Sequence, residues 1–83
     1  MPVETPAAQE IAHFIAKRPT PEEIIAFHPS PEVAERAYAL IAAEREGTIT
    51  DAERAELDTY MALEYLMELV KVEAHRQLQQ QAS

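Results

Sequence analysis

The chain has 83 residues, 47% of them apolar and 27% charged, with 15 acids against 7 bases for a net charge of −8. A chain of this size buries only about 60% of its unfolded surface, so it makes a single small domain over residues 1–83. The absence of Cys excludes disulfides, thiolate metal sites and cysteine nucleophiles, and the acidic balance disfavours nucleic acid and anionic membranes as partners.

In chain order, the first signals are caps. Thr5-Pro6, Thr20-Pro21 and Ser30-Pro31 each place a hydroxyl directly before a proline. The hydroxyl accepts a hydrogen bond from an orphan N–H of the first turn, and the proline needs no partner and already holds a helical φ. Thr50 opens a fourth helix, with Glu53 completing a capping box, and Thr20 with Glu23 makes another. The stops are Pro19, Pro29 and Gly47, the only glycine, which suits a left-handed helix end. These marks predict four helices, at about 6–17, 21–27, 31–46 and 51–79, with the polar tail 77–83 fraying. The expected fold is all-α: an antiparallel helical hairpin (31–46 and 51–79, joined by a short loop) with two short N-terminal helices laid across it.

On the third helix Val33, Ala34, Ala37, Leu40 and Ile41 form one apolar face, and Ile49 is placed to plug the turn. Ile11, Phe14 and Ile15, then Ile24, Ile25 and Phe27, form two smaller patches. The fourth helix is apolar on two sides. With residues set about 100° apart, Tyr60, Leu63, Leu66, Met67, Val70, Ala74 and Leu78 fall on one side. Leu57, Met61, Tyr65, Leu69 and Val72 fall on another. One antiparallel helix cannot cover both. Either the N-terminal helices close over the second side, or that side meets another chain. The second option makes Leu57, Met61, Tyr65, Leu69 and Val72 the candidate protein interface. The heptad registers run into Glu64, Lys71 or Glu73, which argues against a long two-stranded coiled coil.

No catalytic site is expected. One glycine leaves no phosphate-binding loop, and the Ser and Thr residues serve as caps without Ser–His–Asp spacing. His13, His28 and His75 form no ligand pair, and Glu64 and Glu68 lack the histidines of a di-iron bundle. Residues 42–53 fall into the spacing of an EF-hand loop at Glu44, Glu46, Gly47 and Glu53. However, Ala42 stands where the first carboxylate should ligate. No metal or cofactor is therefore expected. A helix-turn-helix regulator would need a basic helix, and none is predicted. The N-terminus lacks a basic segment followed by an apolar stretch, and no window of about 20 apolar residues occurs. A cytoplasmic protein without a membrane span is the expectation. Residues 31–60 carry eight acids and three bases, a local balance of −5 that suits either an ordinary solvated face or a basic protein partner.

Two runs resemble a group of small acidic helical proteins of cyanobacterial type. One is Arg18-Pro19-Thr20-Pro21-Glu22-Glu23-Ile24-Ile25-Ala26-Phe27-His28-Pro29-Ser30. The other is Glu46-Gly47-Thr48-Ile49-Thr50-Asp51-Ala52-Glu53-Arg54-Ala55-Glu56-Leu57-Asp58-Thr59-Tyr60, followed by Leu63-Glu64-Tyr65-Leu66-Met67. The resemblance spans about residues 18–76. Genes of that group often lie beside genes for HNH-type nucleases or toxins. The resemblance therefore implies an antitoxin-like or immunity-like partner of a basic nuclease or toxin, with no catalytic motif to carry over. The alternative is a homo-oligomeric structural or adaptor protein. The expected partner is thus a second copy of the chain or one dedicated protein.

Overall fold

A computed structural model of the chain describes residues 5–82. They form four helices, α1 (Pro6–Ala16), α2 (Pro21–Ala26), α3 (Pro31–Glu46) and α4 (Asp51–Ala82), with no strand among the described residues. The chain is all-α.

Every start follows the expected chemistry. The Thr5 hydroxyl accepts from the Ala8 N–H at 3.1 Å, and the Ser30 hydroxyl from the Val33 N–H at 3.4 Å. At Thr20 and Thr50 the boxes close in both directions: Glu23 accepts from the Thr20 N–H at 2.8 Å, and Glu53 from the Thr50 N–H at 2.9 Å. The Thr20 N–H holds the Glu23 carboxyl below its ordinary range. α3 carries Val33 where its own box glutamate would stand. The missing acceptor comes instead from α1: Glu10 Oε1 accepts from the Ser30 N–H at 2.9 Å. Twenty residues of chain separate cap and carboxylate, so one hydrogen bond ties the first helix to the start of the third.

The ends use backbone geometry. Gly47 closes α3 at φ 75°, and its N–H and that of Thr48 reach back to the Glu44 and Ala43 carbonyls. α1 ends through the backbone N–H groups of Lys17 and Arg18, bonded to the Phe14 and Ile15 carbonyls, and Arg18 takes φ 53° to do so. Among the described residues Arg18 is the one non-glycine in the left-handed region, a conformation that costs a Cβ-bearing residue about 1 kcal/mol. Pro19 follows at once and prevents the alternative of another helical turn.

α3 and α4 run antiparallel. Arg36 grips Glu56 through two hydrogen bonds of 2.9 and 2.8 Å, and Arg54 meets Glu44 at 2.9 Å, so α3 descends as α4 rises. The bidentate carboxylate across the hairpin matches the guanidinium fork of Arg36. α4 is 32 residues long, about 48 Å at 1.5 Å per residue, and spans most of the molecule's 52 Å length. The expected fraying from 77 is not seen. The helix holds to Ala82, carried by Leu78, which is half-buried, and by Gln and Ala with good helix propensity. Ser83, the end of that tail, lies outside the described residues.

α1, α2 and α3 each pack on α4; α2 brings its backbone closest to α4, and α3 supplies most of the buried side chains facing it. The core is a line along α4: Leu40, Ala37 and Val33 of α3, Leu57, Met67 and Ala74 of α4, and Ala7 of α1. Phe14 and Phe27 stack at 4.5 Å between ring centroids and join α1 to the end of α2. Ile49 is half-buried at the turn, as expected of a plug.

Candidate interaction surface

The N-terminal helices settle on the side of α4 that holds Met67 and Ala74. Among the described residues nothing covers the other side. Met61 is 51% exposed, Tyr65 67%, Leu69 47% and Val72 46%. Spaced by four, four and three residues, they make one unbroken apolar stripe about 16 Å long on the helix surface.

Leu57 does not belong to it. It is 4% exposed and sits in the core, a correction to the expected set of five. Its position on the wheel is turned from Met61 toward α3, and the pairs Arg54–Glu44 and Arg36–Glu56 show that α3 lies over this part of α4. Leu66 errs the other way: expected inside, it is 47% exposed and widens the stripe past Leu69. Tyr38 of α3, 73% exposed, was not anticipated. It lies four residues after Ala34 and three before Ile41, on the edge of the apolar face of α3, and that spacing was the available signal. Tyr38, Ile41, Met61 and Glu64 line a groove of about 310 Å³ between α3 and α4, which extends the stripe sideways.

A smaller cavity of about 120 Å³ adjoins this groove, sharing Pro29, Tyr60 and Glu64 with it, where α1 and residues 27–29 meet α4. Ile11, Phe27, Leu63 and Met67 form its apolar wall, and Glu10, Glu64, Glu68 and Lys71 stand around it. Its polar groups have structural work: Glu10 caps α3, and the Tyr60 hydroxyl is held above its usual range, first by burial and then by the charge of Glu64. His28, also at this cavity, places Nδ1 3.3 Å from the Pro29 carbonyl oxygen, a local turn contact. His13 and His75 are exposed on separate helices.

The EF-hand-like residues are engaged elsewhere. Glu53 closes the Thr50 box and Glu44 pairs with Arg54. Among the described residues no three His, Cys, Asp or Glu side chains group as metal ligands. No described helix is long and apolar enough to cross a membrane. No family model, curated protein or solved structure matches the chain.

Proposed function

We propose that this protein is a non-catalytic protein-binding module that docks through the outer face of α4. One observation carries the reading: four large apolar side chains, Met61, Tyr65, Leu69 and Val72, stand about half exposed in an unbroken line on a single helix. Scattered apolar residues on a surface need no explanation, but a contiguous patch rimmed by charge marks an interaction surface. Met and Tyr suit that role because Met adapts its shape and Tyr keeps a polar tip at the rim.

A photo-crosslinking side chain placed at position 65 tests this in cells. A discrete protein adduct from position 65, and none from the exposed position 35 on α3, is the expected result. Equal or absent crosslinking at both positions would remove the docking role.

The finer, antitoxin-like form of the reading draws on the resemblance and on the exposed carboxylates Glu32, Glu35, Glu46 and Asp51. It requires a basic nuclease or toxin as the adduct, bound more weakly as salt is raised.

A further inference from the structure

The stripe has charged ends of opposite sign. Asp58 lies one turn before Met61 and Arg76 one turn after Val72, both exposed and both on the line of the stripe. Along the axis these residues are arranged symmetrically about position 67. Asp58 and Arg76 stand nine residues to either side, Tyr65 and Leu69 two, and Met61 and Val72 six and five. Turned end for end, the face therefore presents apolar residues opposite apolar residues and, at each end, a base opposite an acid. That is the self-complementarity an isologous two-fold contact requires.

We propose that the occupant of this face is a second copy of the chain, its α4 antiparallel to the first, with Asp58 of each copy against Arg76 of the other. The inference rests on the docking role proposed for the stripe. In that arrangement Tyr65 packs beside Leu69 of the second copy, and Met61 beside Val72. Glu64 and Lys71, three residues before and four after position 67, come to the same level on the flank and add a second pair of opposite sign. A parallel pairing would set Asp58 against Asp58 and Arg76 against Arg76. Arg76 already bonds Glu73 at 2.8 Å, but both partners are nearly two-thirds exposed, and such a pair yields readily to a better one. Tyr38, beside the same groove, widens the contact beyond a bare helix pair. The opposing feature is Glu68, whose turn lies next to the two-fold axis and brings like charges together.

The test is sedimentation velocity on the purified full chain and its variants, with circular dichroism to confirm that each is folded. Wild type is expected to be a dimer. Asp58→Lys alone and Arg76→Glu alone should each weaken it about tenfold, since each sets like charges together at both ends. Mixing the two single variants should restore dimers, because the lysine of one then faces the glutamate of the other. Glu68→Gln should tighten the wild-type dimer. A monomeric wild type overturns the proposal, as does a dimer indifferent to both single substitutions, which would be parallel or built on another face. The docking role is judged separately: a monomer that still crosslinks a different protein through position 65 keeps that role and loses only the second copy as occupant.

Discussion

The inner side of α4, with Met67 and Ala74, and the outer side, with Met61 and Tyr65, are made of similar residues, yet three helices cover one and nothing among the described residues covers the other. Residue chemistry does not distinguish them. What differs is what can reach them. Ala74 is small and 2% exposed, so a short helix can approach the backbone of α4 there. On the outer side Tyr65 and Leu69 stand exposed with charged neighbours at the flanks. The contrast teaches that, on a helix apolar on two sides, the side meant for the chain itself is the one offering small residues to close against.

Substitutions on the two sides and at the helix ends, and one titration, probe the contrast, the largest effect first. Met67→Glu places an unpaired charge at a site 5% exposed and is expected to cost several kcal/mol and abolish cooperative thermal melting. Tyr65→Glu, two residues away on the outer side, is expected to leave helicity and melting of the single chain nearly unchanged. If Tyr65→Glu unfolds the chain as Met67→Glu does, the two sides are not different and the docking face is lost. Next comes Gly47→Val. A Cβ at Gly47 would meet nothing within 4 Å, so the cost is that of the left-handed backbone alone, about 1–2 kcal/mol or several degrees of melting temperature.

Glu10→Ala removes the acceptor for the Ser30 N–H and should cost about 1 kcal/mol, the usual worth of a cap. Chemical denaturation will show whether that loss exceeds the loss from Glu23→Ala, whose box is local and exposed.

The smallest effect is in the acid limb. Arg36 holds the Glu56 carboxyl below its ordinary value. A carboxyl depressed in the folded state contributes stability above its unfolded pKa and loses it as pH falls through the folded one. Arg36 is about half exposed, so the contribution is under about 1 kcal/mol. Stability measured from neutral pH down through the carboxylate range should fall less steeply in Arg36→Gln than in wild type. An unchanged slope would mean that the pair is fully screened.

The helix starts could be read from sequence because capping is a matter of three or four consecutive residues, and Thr20 and Thr50 carry their partners with them. The Gly47 stop could be read for the same reason. Glu10 could not be recognised as the cap of α3, because nothing local links residue 10 to residue 30. Arg18 gives no local sign of a left-handed conformation, since the pressure comes from Pro19 and from the path of α2. The face assignments show the same boundary. A helical wheel gives the angle of Leu57 and Leu66 on α4, but whether each is covered depends on where α3 lies, and that is a tertiary fact. Four of the five expected interface residues stayed exposed, and the fifth was lost to the one helix the sequence had placed beside it.

α1, α2 and α3 pack on α4 and only sparsely on one another. Such a hub connectivity makes α1 and α2 separable units in hydrogen exchange. Either can lift away and return at the expense of its own contacts, while α3 and α4 remain zipped by Leu40 and Leu57. Amides of α1 are thus expected to exchange through small local openings, and those in the middle of α4 only through global unfolding. The long helix acts as the slow clock of the molecule, with the N-terminal segment ticking faster on its surface.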